Sequence, residues 1–136
     1  MNEGATPVAF YAQVTKNIGG IGNFQPIVFD LVTTNIGNVY NKADGIFTAP
    51  VTGTYVFIWT ASNDQHTYMY TEIVANAVVK GRQLSDSFDH ADVSSATGAA
   101  VLSLQAGDTV WIRSNTAHTH SIMGSQLTSF SGWLLF

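Results

Sequence analysis

Cysteine is absent from this 136-residue chain, which excludes disulfide frameworks, thiolate nucleophiles and Cys-based zinc sites. Charge is scarce as well. Asp, Glu, Lys and Arg together make up 10% of the residues, against about a quarter in an ordinary soluble domain. Five basic residues against nine acidic ones leave a formal charge of −4, and no basic run occurs anywhere. Nucleic acid is therefore not an expected partner, because neutralising a phosphate backbone needs clustered Lys and Arg. No apolar run approaches the roughly 20 residues of a membrane span. Residues 1–7 are polar and lack the basic and apolar regions of a signal peptide, so they read as an N-terminal tail. Catalytic motifs are missing too: there is no Gly-x-Ser-x-Gly elbow and no phosphate-cradling loop. Gly19-Gly20-Ile21-Gly22 is a lone glycine cluster with no helix after it, and reads as a turn. An enzyme is not expected.

What is present is a period of two. Hydrophobic residues reach 46% and aromatics 12%. With so few charges to cover it, a large apolar area should be buried against another chain, so an oligomer is expected. Val8, Phe10, Ala12 and Val14 alternate with Ala9, Tyr11, Gln13 and Thr15 as an opening strand. Asp44-Gly45, between Val39-Tyr40 and Ile46-Phe47, is a tight-hairpin signal. From Gly53 to Ala61, Tyr55, Phe57 and Trp59 share one face while Val56 and Ile58 share the other. A strand apolar on both faces is covered on both faces.

Further strands are expected over Tyr68 to Val74 and Val78 to Leu84, with a polar, acidic stretch from Ser85 to Ser95. Ala99 to Leu104 and Thr109 to Arg113 read as a hairpin through residues 105–108. The chain closes on Trp133-Leu134-Leu135-Phe136. That end makes sense as a central strand with one side on the core and the other on an intersubunit axis. Trp59, Trp111 and Trp133 all fall in apolar strands and are expected in the core. About ten short strands with frequent turn signals make an all-β sandwich or jelly roll, spanning residues 8–136 as one domain.

Phe29, Asn35, Tyr40, Phe47, Gly53, Tyr55, Phe57 and Trp59 fall at spacings of 6, 5, 7, 6, 2, 2 and 2. This pattern resembles the complement C1q globular-head family, with Trp59 departing from the usual Phe or Tyr. Leu104, Gly107-Asp108 and Val110-Trp111 resemble the family's late hairpin, and Ser129 to Phe136 its closing strand. The resemblance implies a ten-stranded jelly-roll β-sandwich shared with the tumour necrosis factor superfamily, packed as a homotrimer. It also implies a secreted, non-enzymatic module that requires no cofactor, in a head-only form without a collagen stalk. Two ligand classes follow: microbial carbohydrate or lipopolysaccharide in lectin-like innate recognition, or a protein receptor bound in the manner of cerebellin-like or adipokine-like relatives. One departure is Asn76-Ala77, where the family often has Asn-Gly. Ala at positive φ is strained, so a different turn type is expected there.

Two loops carry the candidate sites. Asp86, Asp89, His90 and Asp92 lie within seven residues, which the resemblance places near the trimer apex. Close carboxylates can coordinate Ca²⁺, as several relatives do near the apex, making Asp86, Asp89 and Asp92 the candidate metal ligands. Against this, Ser94 stands where calcium-binding relatives often have aspartate, and Ser121 to Thr128 replaces their acid-rich stretch. The plainer reading is a solvated loop whose aspartates cap turns. His118 and His120 are two apart, so a strand would put both on one face, but no third metal ligand is near. With Arg113 and Asn115 they are the candidate contacts for a sugar or other polar ligand, an Arg being able to grip a carboxylate or phosphate bidentately. An ordinary exposed loop is the alternative.

Overall fold

The computed structural model describes residues 6–116 and 120–136; His118 therefore lies outside the described residues. Two antiparallel sheets face each other, and no helix occurs among the described residues. The first sheet runs β2 (Ile18–Ile21), β11 (His120–Ile122), β6 (Gly53–Asn63), β12 (Ser129–Leu134), β1 (Ala9–Gln13), β3 (Leu31–Ile36). β9 (Ser94–Leu104) also pairs with β6 along its whole length. The second sheet runs β4 (Tyr40–Asn41), β5 (Ile46–Thr48), β10 (Thr109–Ser114), β7 (Tyr68–Ala75), β8 (Val78–Asp86). The strand segments among the described residues number twelve where the resemblance implied ten, the shortest being β4, β5 and β11.

Alternation sorts the side chains. On β6, Tyr55, Phe57 and Trp59 are fully buried between the sheets, while Val56 and Ile58 point away from the core and are half-buried. The inward rings of Phe10, Phe29, Tyr40, Phe47, Tyr55, Phe57 and Phe130 make one continuous cluster, with neighbouring centroids 4.9–6.4 Å apart. Offset and edge-on contacts at such distances add to the burial of apolar area. Two glycines make room for it. A Cβ on Gly98 would lie 2.5 Å from the Trp59 ring, and one on Gly132 would lie 2.6 Å from Phe57. Trp59 also donates from Nε1 to Thr71 Oγ1 at 2.9 Å, so the two sheets are joined through the core.

The hydroxyl of Tyr40 bridges one buried backbone residue. It accepts from the Phe29 N–H at 2.9 Å and donates to the Phe29 carbonyl at 3.0 Å. Burial pushes this phenol far above its ordinary pKa, against the opposing pull of its backbone partner, so it stays neutral. Asn35 closes the turn before it, donating to the Tyr40 carbonyl and accepting from Val39 and Tyr40 N–H groups. The spacing of Phe29, Asn35 and Tyr40 therefore records a backbone clamp.

Several expectations need correction. The glycine cluster lies largely in strand β2, which pairs with β11 through an irregular register, Gly20 taking a positive φ (68°) that glycine adopts without strain. The segments around residues 105–108 are no hairpin: β9 pairs with β6 in the first sheet, and β10 pairs with β5 and β7 in the second. That turn carries the chain between sheets. The β4–β5 connection is a hairpin, but only Gly45 of its signal takes positive φ (80°), with Asp44 accepting from Ile46 N–H.

Asn76 and Ala77 both take positive φ (50° and 68°), the type I′ pattern, so the alanine does not impose a different turn. Asn76 holds it there by donating its N–H to the Thr109 carbonyl and accepting from the Thr109 N–H at Oδ1. Of the three tryptophans only Trp59 is core; Trp111 is half-buried and Trp133 is 38% exposed. Both stand on outward-facing register positions. The closing strand is central, as expected, between β6 and β1.

Two substitutions test this packing. Gly98→Ala should lower unfolding free energy by about 1–3 kcal/mol through overpacking against Trp59. Tyr40→Phe should cost about 1–3 kcal/mol by stranding the Phe29 amide and carbonyl. Urea denaturation monitored by tryptophan fluorescence measures both; an unchanged midpoint for Tyr40→Phe would show that the clamp is idle.

Candidate ligand-binding face on the second sheet

β7 carries Tyr68, Tyr70, Glu72 and Val74 on the face turned away from the core, while Met69, Thr71, Ile73 and Ala75 are buried beneath. Register sets Asp86 of β8 opposite Tyr68, Leu84 opposite Tyr70, and Arg82 opposite Glu72. On the other side Arg113 of β10 is opposite Glu72. This strip divides into two parts.

The first part is a shallow aromatic cleft of about 280 Å³ lined by Tyr68, Tyr70, Leu84, Asp86, Phe88 and Asp89. Tyr68 meets Tyr70 and Phe88 edge-on, at 6.2 Å and 6.0 Å between centroids. Tyr70, Leu84 and Phe88 are 40%, 42% and 59% exposed, a concentration of apolar surface that stands open to solvent. The supporting loops are pinned from below. Buried Asn63 donates to the Thr67 carbonyl and to Ser87 Oγ, and Ser94 donates to Asn63 Oδ1. Asp86 Oδ1 accepts from the Phe88 N–H at 2.9 Å, which fixes the turn that brings Phe88 over the cleft. Thr116 Oγ1 accepts from the Tyr70 N–H and steadies the opposite wall.

The second part is ionic. The Glu72 side chain is fully buried, yet both its oxygens are paired: Oε1 with Arg113 Nε at 2.7 Å, Oε2 with Arg82 Nε at 2.8 Å. Asn115 Nδ2 adds a third donor at 3.0 Å. Burial raises the carboxyl pKa, but Arg113, Arg82 and Asn115 together outweigh it and hold Glu72 below its ordinary value. The Arg113 guanidinium also lies 4.9 Å from the Phe24 ring centroid.

The residues singled out from sequence are thus dispersed. Arg113 and Asn115 do share a site, with Glu72 as their common partner. His120 does not join them: it is 4% exposed, with Nε2 3.1 Å from Ser114 Oγ, because its place in β11 turns it inward. Among the described residues no three His, Asp or Glu side chains are grouped to hold a metal ion. Asp86 and Asp89 border the aromatic cleft, and Asp92 is not part of its lining. Asp86 caps a turn. Glu72, Leu84 and Phe88 escaped sequence reasoning, whereas Arg82 stands out with Arg113 as one of two arginines able to grip a carboxylate or phosphate. A signal was available for one of the three missed: Glu72 is a single acid within the otherwise uncharged β7.

The C1q domain family model matches residues 9–135 of this chain. The chain belongs to the C1q domain family. Zebrafish (Danio rerio) Caprin-2 is 37% identical over 134 residues, covering 95% of the chain and 14% of that protein. Complement C1q tumor necrosis factor-related protein 3 of mouse (Mus musculus) is 34% identical over 132 residues, covering 95% of the chain and 51% of that protein. The chain thus spans about half or less of these relatives. The globular domain of zebrafish complement 1qA protein superposes with a TM-score of 0.76 at 23% identity, covering 95% of this chain and 98% of that one. C1q domains are generally non-enzymatic recognition or ligand modules, form trimers and are typically secreted.

The Glu72 cluster makes a pH prediction for this C1q domain. Its folded-state pKa is depressed, so its stabilisation is complete above the unfolded carboxylate value of about 4.3 and is lost as pH falls through the folded value. Thermal melts should therefore drop below about pH 4. Glu72→Gln should melt lower at neutral pH and show a flatter acid limb; an acid limb parallel to wild type would assign the loss to other carboxylates, such as Asp30 and Asp108, whose pKa values are also lowered.

Proposed function

We propose that this C1q domain is a non-enzymatic, lectin-like recognition module that works as a homotrimer and binds microbial surface carbohydrate. The observation that carries the reading is the cleft of Tyr68, Tyr70, Leu84 and Phe88 with Asp86 and Asp89 at its border. Sugar rings have apolar faces that stack on aromatic side chains and hydroxyls that donate to carboxylates; both groups are present here, with Tyr68, Tyr70, Leu84 and Asp86 on the sheet and Phe88 and Asp89 in the turn after β8. Open, shallow and about 280 Å³ in volume, the cleft has room for one sugar residue at a time. Binding of that kind is weak per site, and three copies on one trimer multiply it when the ligand repeats.

The first sheet supports the trimer. Outward positions in register bring Trp133, Val56 and Val101 into one row, with Ile58 and Ala99 in the next. Val101 is 64% exposed and Trp133 38% in the single chain, and contiguous apolar area of this kind marks a protein interface. Secretion belongs to the same proposal.

A glycan and microbial-polysaccharide array, run with calcium and with EDTA, tests the reading on the purified assembly. Sedimentation should give three times the 14.6 kDa chain mass, and selective polysaccharide binding should fall at least about tenfold in Tyr70→Ala without loss of the trimer. EDTA sensitivity would assign the carboxylates a metal. A well-folded trimer that leaves the array blank would overturn the lectin reading in favour of a protein receptor, and a 14.6 kDa species would overturn the assembly.

A further inference from the structure

The Arg82–Glu72–Arg113 cluster holds more positive charge than its buried carboxylate needs. One guanidinium gripping Glu72 through two parallel N–H donors would satisfy both oxygens. Instead two guanidinia each approach through Nε, one per oxygen. That geometry leaves the Nη nitrogens of both arginines without a hydrogen bond to any described residue. Those of Arg113 are also not sealed from solvent, since among the described residues the buried unpartnered side-chain atoms are those of Gln83 and Ser85. Arg82 is 56% exposed at its side chain and Arg113 18%, so the pair opens outward. Two cations and one carboxylate leave a local charge of +1 on a chain of −4, and these are its only two arginines.

Both guanidinia are held before any ligand arrives. Glu72 fixes each through Nε, Asn115 braces the carboxylate, and the Phe24 ring lies against Arg113. A pair of planar forks fixed in this way matches the oxygens of a carboxylate, sulfate or phosphate, and little side-chain entropy remains to be lost on binding. Its position is specific as well. Tyr70 and Glu72 are successive outward residues of β7, about 7 Å apart by strand rise, so the cluster adjoins the aromatic cleft at roughly the reach of one sugar ring.

We propose that Arg82 and Arg113, pinned by Glu72, form an oxyanion subsite that captures an acidic group borne on the glycan whose ring lies in the Tyr68–Tyr70–Phe88 cleft. The proposal rests on the carbohydrate reading above and narrows it to acidic glycans: uronates, sulfate esters or sugar phosphates. Asp86 and Asp89 at the far end of the strip repel the same group there, which sets the ligand's direction along the sheet.

Because the chain has two arginines, its Arg Nε–Hε nuclear magnetic resonance signals are two, each reporting one half of the subsite. Titrating the ¹⁵N-labelled protein with galacturonate, galactose 6-sulfate, glucose 6-phosphate and inorganic sulfate should move both signals to saturation, whereas galactose should leave them in place. Comparing the four anions shows which acidic group is preferred. Arg82→Gln, a change at a half-exposed position, should weaken binding of the preferred acidic polysaccharide about tenfold or more while leaving the trimer mass unchanged. Arg113→Lys, which keeps the charge and loses the fork, should weaken it as well. Shifts that only track ionic strength, or wild-type affinity in Arg82→Gln, would overturn the subsite. Neutral glycans binding on the array alongside that result would leave the lectin reading standing; a blank array would take both down.

Discussion

Everything in this fold rests on fitting large aromatic rings between two thin sheets. Trp59 and Phe57 occupy their places only because Gly98 on one neighbouring strand and Gly132 on the other present no Cβ toward them. A large residue on β6 thus faces a small one on β9 or β12. The arrangement locks register, since a slip of one residue would drive Val101 or Trp133 into the space the rings fill. It also places the apolar overflow outside: Val56, Ile58, Val101 and Trp133, which alternate with the core set, face away from it.

The second sheet uses the same alternation for a different end. Beneath β7 lie Met69, Thr71 and Ile73, which pack the core; above it lie Tyr68, Tyr70 and Glu72, which face away from it. A recognition strip built on a strand inherits the strand's rigidity, and the buried Asn63 network and the Thr116 hydroxyl extend that rigidity to the flanking loops. The ionic cluster costs something to keep, because a fully buried carboxylate is stable only while its partners stay in place.

Much of this was legible in the residues. The aromatic series from Phe29 to Trp59 pointed to the sandwich, and the family model and the fold agree with it. Arg82 and Arg113 were visible because charge is rare here and stands out, and Asn115 because it opens a polar loop. The rest was hidden for definite reasons. Gly19 to Ile21 looked like a turn because glycine carries no side chain to show a period, while its partner β11 lies about a hundred residues away. The stretch around Gly107 looked like a hairpin because a tight turn is the same locally whether the next strand stays in its sheet or crosses over. Asn76-Ala77 kept the turn expected of Asn-Gly because Thr109, distant in sequence, hydrogen-bonds it in place.

What the sequence determined alone was therefore the periodic part: strands, their inward faces, the all-β class and the family. Alternation is written residue by residue, so it needs no knowledge of partners. What only the tertiary structure decided was adjacency. His120 turned inward, and Glu72 drew Arg82 from β8 together with Arg113 and Asn115 from the end of β10 into one cluster. Those meetings depend on which strands pair and in what register, a property of long-range packing that no local spacing encodes.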